Sequence, residues 1–147
     1  MDICLREVLP QDSALLLGWR NDPNTRLNSI NTAEVSLEEH ARWFHNMITI
    51  RPQPISVAEL DGLPVGVIRL DWNVGHDTCE LSFTVAPEHR GKGVGFSMVQ
   101  HEIQQMNKVR VLARVKTANV ASRRIFDRLG FQVIESKGEL LFYSKAL

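Results

Sequence analysis

Arg90-Gly91-Lys92-Gly93-Val94-Gly95 places three glycines within five consecutive positions, between an apolar strand-like run, Leu81 to Val85, and a helical pattern beginning near Gly95. Glycine removes the Cβ atoms that would hold a phosphate away from main-chain N–H groups, and the following helix points the positive end of its dipole at the same spot. The chemistry on offer is anion binding, on a scale that suits a pyrophosphate. The spacing is not the GxxxxGK[ST] loop of nucleoside-triphosphate sites. It also lacks the GxGxxG register and the acidic residue about 20 positions on that mark dinucleotide sites. A different phosphorylated cofactor is therefore expected.

Two motifs in the right order narrow the choice. Thr84-Val85-Ala86-Pro87-Glu88-His89-Arg90-Gly91-Lys92-Gly93-Val94-Gly95 contains Arg-x-x-Gly-x-Gly and resembles the acetyl-CoA-binding motif of the GNAT N-acetyltransferases. Asn119-Val120-Ala121-Ser122, with Phe126 and then Leu129-Gly130-Phe131, is similar to that family's downstream signature. The resemblance spans nearly the whole chain, although only residues 83 to 131 carry specific motifs. It implies a single α/β domain over residues 1–147, with a mixed, mostly antiparallel central sheet, helices on both faces, and middle strands splayed apart by a β-bulge.

The same resemblance assigns roles. Acetyl-CoA would be the co-substrate, its pantetheine arm lying along Leu81 to Val85, with main-chain N–H groups of Phe83, Thr84 and Val85 polarising the thioester carbonyl. The pyrophosphate would take N–H groups from Arg90, Gly91, Lys92, Gly93, Val94 and Gly95, with the Arg90 and Lys92 side chains adding charge. Asn119, Ser122 and Phe126 would stand beside the arm, though helix capping alone would explain Asn119 and simple packing Ser122. An ammonium acceptor must lose a proton before it can attack, and Glu80 is the first candidate to take it, against the alternative of a surface carboxylate. His76 and Asp77 are weaker candidates, better explained by a turn. Many family members have a tyrosine acid where this chain has Phe126, which cannot donate. Water, unaided thiolate release or Tyr143, the chain's single tyrosine, are left for that duty.

For the acceptor, Trp19 to Arg26 and Leu37 to Phe44 are similar to the N-terminal region of acetyltransferases acting on nucleotide-linked amino sugars. The pattern also occurs in ribosomal-protein N-terminal acetyltransferases. Asn21 and Arg26 in a polar loop, with His40 and Trp43 on a helix face, are the candidate substrate contacts, although the helix pair could equally widen the core. A small-molecule amine acceptor is expected, with a non-catalytic acyl-CoA-binding module as the alternative from another class.

Composition sets the frame. The chain has 147 residues, 44% hydrophobic and 23% charged, enough for one disulfide-free core. No apolar run reaches membrane-helix length and no signal segment is visible, so a cytoplasmic protein without membrane partners is expected, as monomer or homodimer. Cys4 and Cys79 are expected as free thiols, and the histidines at 40, 45, 76, 89 and 101 lack metal-ligand spacing. Formal net charge is zero, yet residues 1 to 89 hold 6 basic and 13 acidic side chains while 90 to 147 hold 11 and 4. That split suits an anionic cofactor beside a cationic acceptor, whereas nucleic-acid binding would call for a domain basic overall with interleaved aromatics.

The elements that must position these groups follow from periodicity and breakers. Residues 2 to 8 read as a strand, Asp12 as the cap of a helix to about Arg20, and Asn21 to Thr32 as a turn and loop. Ser36-Leu37-Glu38-Glu39 reads as a capping box, with Leu37, Ala41, Phe44 and Ile48 as the core stripe, and Arg51-Pro52-Gln53-Pro54 as the stop. Strands are expected at 55–60, 65–71, 78–85, 109–116, 131–136 and 140–145, and helices near 95–106 and 119–129.

Overall fold

The computed structural model describes residues 1–50 and 54–147, so the expected helix stop at Arg51-Pro52-Gln53 lies outside the described residues. Strands β1 (Ile3–Glu7), β2 (Ile55–Leu60), β3 (Leu63–Trp72), β4 (Thr78–Val85), β5 (Arg110–Lys116), β6 (Gln132–Lys137) and β7 (Leu140–Ala146) form one sheet. Its order is β1-β2-β3-β4-β5-β7-β6. Neighbours pair antiparallel except β4 and β5, whose crossover by helix α4 (Val94–Ile103) makes them parallel. The β2–β3 hairpin is tighter than the sequence suggested. Asp61 and Gly62 both take positive φ, 51° and 77°, which closes a two-residue turn matched to strand twist.

Alternation along the strands sends side chains to two separate cores. On one face Ile68, Leu70, Cys79, Leu81, Val111 and Ala113 pack against Val94, Met98, Val99 and Ile103 of α4 and Phe126 of α5 (Val120–Arg128). On the other, Ile55 and Val57 pack against Leu16 and Trp19 of α1 (Ser13–Asn21) and Phe44 of α3 (Leu37–His45). Helices thus cover both faces, as the fold expectation required.

Three local expectations need correction. The segment after Asn21 is not all loop: Asp22 accepts a hydrogen bond from Thr25 N at 3.1 Å, Pro23 fills the first helical position, and α2 runs over Pro23–Asn28. Asp12 does not cap α1 with its side chain. Its carboxylate is turned back to Arg6 at 2.9 Å and Leu9 N at 2.7 Å. In α3, Ser36 does cap Glu39 N at 3.1 Å, but Leu37 and Ala41 are exposed. The buried stripe is His40 and Phe44, flanked by Trp43, Met47 and Ile48.

Candidate active site

The site begins where two strands part. β4 and β5 share only the pairs Thr78 with Arg110, Cys79 with Val111 and Glu80 with Leu112. Beyond Glu80, β4 stays laddered to β3 as far as Gly66 opposite Val85, while β5 stays with β7 as far as Lys116 opposite Leu140. The strands diverge around a cleft of about 570 Å³, lined by Glu80, Phe83 and Thr84 on one side and Arg114 and Val115 on the other. No β-bulge causes this. The β3–β4 register is unbroken, and the ladder irregularities fall at Ala58/Glu59 and Val133/Glu135. The divergence comes from each strand keeping its outer antiparallel partner, with Phe83 and Phe126 packed edge-on at 6.0 Å on the α5 side.

Ladder alternation settles which amides face the gap. Asn73 N donates to Thr78 O at 2.9 Å and Ala86 N to Val65 O at 2.8 Å. Even-numbered residues of β4 therefore turn their main-chain groups to β3, and Phe83 and Val85 turn theirs toward β5. Thr84, expected as an amide donor, has its N–H on the β3 side and offers the cleft a side chain instead.

The glycine turn follows directly. Gly91 and Gly93 hold φ of 75° and 81°, and Gly93 occupies the N-cap position of α4 without a side-chain cap. The first-turn N–H groups of Val94, Gly95 and Phe96 therefore have no side chain across them, at the positive end of the helix dipole. A Cβ on Gly93 would enter open space, its nearest neighbour being Met1 Cε at 3.9 Å. Gly95 has another purpose. A Cβ there would meet Ile125 Cδ1 at 2.9 Å and Phe83 Cε2 at 3.1 Å, so it sets the approach of α4 to α5 and β4. Lys92 is exposed on the turn. The Arg90 side chain is a correction: Nη2 donates to Asp22 Oδ2 at 2.8 Å and Thr25 Oγ1 at 2.6 Å. Its charge anchors α2 to the turn. Burial works against the Asp22 carboxylate, but Arg90 and the Thr25 N–H outweigh it and hold its pKa below the usual range.

The far wall belongs to α5. Asn119 Oδ1 accepts from Ser122 N at 3.2 Å, so the capping role is real, and it leaves Nδ2 as the donor to offer a ligand. Asn119, Ser122 and Phe126 all line the cleft. Tyr143 does not. It is buried against Phe126, centroids 5.6 Å apart, with its hydroxyl directed to Arg123 and Asp127 of α5, and burial raises its pKa. The acid role considered for it is withdrawn on that geometry.

Glu80 stands at the last β4–β5 pair and lines the cleft, with both carboxylate oxygens engaged by Arg114 across the parting strands. Accepting a proton from an amine there requires a bridging water or loosening of the ion pair. At the other end, His40 and Trp43 also line the cleft. His40 is 3% exposed, and its Nε2 lies 2.9 Å from the Ser13 carbonyl oxygen, so that nitrogen carries the proton. Burial lowers its pKa and keeps it neutral, tying α3 to α1. Asn21 and Arg26 are corrected too. Asn21 is clamped to Val35 N and O, both at 2.8 Å, and Arg26 Nε donates to Thr32 O at 3.1 Å, so both shape the 29–36 loop instead of facing the cleft.

Arg20 and Arg114 line the cleft and escaped the sequence-based choice. Arg114 was legible, since an alternating cation two residues beyond Leu112 shares a strand face with it. Arg20 had no signal beyond its place beside Trp19.

Set beside known proteins, the chain matches the acetyltransferase (GNAT) domain family over residues 2–132. It is 29% identical over 110 residues to the L-amino acid N-acyltransferase MnaT of Escherichia coli, covering 70% of this chain and 63% of that protein. With another curated relative the match spans 54% of its length, so the chain spans about half to two thirds of these relatives. The ribosomal-protein-alanine N-acetyltransferase of Brucella melitensis superposes with a TM-score of 0.75 at 26% identity, covering 98% of this chain and 99% of that one. The yncA protein of Salmonella typhimurium, solved with acetyl-CoA, superposes with a TM-score of 0.76 at 24% identity over 100% and 95% of the two chains. At that identity the likeness is one of fold. Among the described residues no helix is long and apolar enough to cross a membrane.

Proposed function

From a chain that belongs to the GNAT acetyltransferase family, we propose an acetyl-CoA-dependent N-acetyltransferase that transfers acetyl directly to a primary amine. The observation that carries this is the gap between β4 and β5, bordered by the outward amides of Phe83 and Val85 and leading to the uncapped first turn of α4. When bound, acetyl-CoA supplies an acetyl group activated as a thioester. Phe83 and Val85 hold its arm and stabilise charge developing on the thioester oxygen. The Gly91–Phe96 amides hold the diphosphate. Glu80, oriented by Arg114, receives the amine proton through a water, and solvent protonates the departing thiolate because Phe126 cannot.

The acceptor proposed is a nucleotide-linked amino sugar, able to stack on Trp43 in the cleft wall. Such chemistry belongs to the cytoplasm, where acetyl-CoA and sugar nucleotides are made. The likeness to the Brucella enzyme supports a second reading, acetylation of a protein N-terminus. Thiol release from acetyl-CoA with a panel of sugar-linked, peptide and small amines tests both. Tight acetyl-CoA binding without thiol release for any amine would leave a binding module in place of an enzyme.

A further inference from the structure

The face of the sheet that carries Glu80 holds a second anchored cation. Alternation sends Ile68 and Leu70 of β3 and Cys79 and Leu81 of β4 into the α4 core, so Arg69 and Asp71 share the opposite face with Glu80, Ser82 and Thr84. Across the ladder Arg69 stands opposite Ser82, and Asp71 opposite Glu80. Arg69, Ser82, Glu80 and Trp43 line the cleft, while Asp71 does not. Asp71 holds Arg69 from along its own strand, Oδ2 accepting from Nε at 3.1 Å, and the guanidinium lies 5.9 Å over the Trp43 ring. One carboxylate and one indole thus set the plane of the group. The Arg69 side chain is 37% exposed, so the Nη edge that Asp71 leaves free is open to a ligand in the cleft. An ion pair this exposed contributes little to stability, which gives the fold itself scant reason to fix an arginine on that wall.

We propose that Arg69 is the anion-recognising residue of the acceptor site, so that the amine acetylated here carries a phosphate or carboxylate group that docks on its Nη edge. This rests on the cleft being an acyl-transfer site for amines. The spacing suits it: Arg69 is the diagonal neighbour of Glu80 across the β3–β4 ladder, roughly 7–8 Å away main chain to main chain, so one acceptor can hold its amine at Glu80 and its anion at Arg69. Ser82, exposed and directly opposite Arg69, adds a hydroxyl donor beside the anion. Because the guanidinium plane is already set, an oxyanion gains a bidentate contact with little ordering of the side chain. A neutral acceptor gains none of it.

The test is turnover of two amine pairs by the full chain, each kcat/KM expressed per free amine: methionine with its carboxamide, and a uridine-diphosphate-linked amino sugar with the free amino sugar. In the unmodified protein the anionic member of at least one pair should be favoured by about 10- to 100-fold. That preference should collapse through KM in Arg69→Met and return in part in Arg69→Lys. It should stay lost when Asp71→Asn is added to Arg69→Met, which removes the carboxylate left unpaired opposite Glu80. Acetyl-CoA affinity by calorimetry should not change in Arg69→Met. The pair that responds identifies carboxylate or diphosphate as the source. Equal turnover within both pairs, or a preference that survives Arg69→Met, overturns the inference while acetyl transfer stands. If no amine is acetylated although acetyl-CoA binds, the acyl-transfer reading fails, and titration of pyrophosphate and of succinate into the coenzyme A complex decides the inference alone. Saturable binding lost in Arg69→Met supports it, and no binding, or binding that persists in Arg69→Met, overturns it.

Discussion

At the scale of single residues the account turns on Glu80 and Gly93. Glu80 lies in the cleft with both oxygens on Arg114, so its replacement changes proton handling with little change in shape. Glu80→Gln should lower kcat by about 10²-fold with a much smaller change in KM. An unaltered kcat would remove Glu80 from the chemistry. Gly93 has φ of 81° and open space where a Cβ would stand. Gly93→Val therefore strains the turn by about 1–3 kcal/mol and puts a branched side chain where a diphosphate would lie. Acetyl-CoA affinity by calorimetry should fall at least about 10-fold, and unchanged affinity would exclude phosphate contact at this turn. Glu80 was readable because a carboxylate sits on the strand that leads into the glycine motif. Tyr143 was misleading, because a sequence gives a tyrosine's strand but not whether its hydroxyl faces the cleft or α5.

At the scale of elements, the cleft exists because two strands each keep an outer partner, with α5 forming one wall. Gly95 sets how closely α4 packs on α5 and β4: a methyl there meets Ile125 at 2.9 Å and Val85 at 3.3 Å. Gly95→Ala should cost about 1–3 kcal/mol in denaturant unfolding, whereas Gly93→Val should reduce cofactor affinity out of proportion to its effect on stability. Comparable losses in both measurements for both variants would contradict the division of labour. Most elements were legible, since β2, β3, β4, α4 and α5 have strong periodicity and glycine or proline punctuation. The short α2 was missed although Asp22-Pro23 is a cap followed by proline at the first helical position, because six residues carry too little period to announce a helix. Of the expected stripe, Phe44 and Ile48 do pack inward, whereas Leu37 and Ala41 are exposed and His40 takes the buried place, held by its contact with the Ser13 carbonyl. The parting of β4 and β5 came from family resemblance, and no local pattern in either strand records it.

At the scale of the whole molecule, stability should depend on pH in two stages. Burial depresses the His40 pKa, so its contribution is fully present above the unfolded value of about 6.5 and is lost as pH falls through that region toward the folded value. Arg6, outweighing burial, depresses that of Asp12, whose contribution is present above about 3.8 and is lost at lower pH. Urea midpoints should therefore drop between pH 7 and 5 and again below pH 4, the first drop disappearing in His40→Gln. A flat profile down to pH 5 would mean His40 is not held neutral. The arrangement as a whole places basic residues on the C-terminal half, around the glycine turn and α5, where an anionic cofactor is expected. A crystal structure determined with coenzyme A tests the central claim most directly. The account predicts diphosphate density on the amides of Gly91 to Phe96 and a pantetheine arm bonded to the main chain of Phe83 and Val85 in the gap facing β5. Coenzyme A bound elsewhere, or an empty gap at saturating concentration, would contradict it.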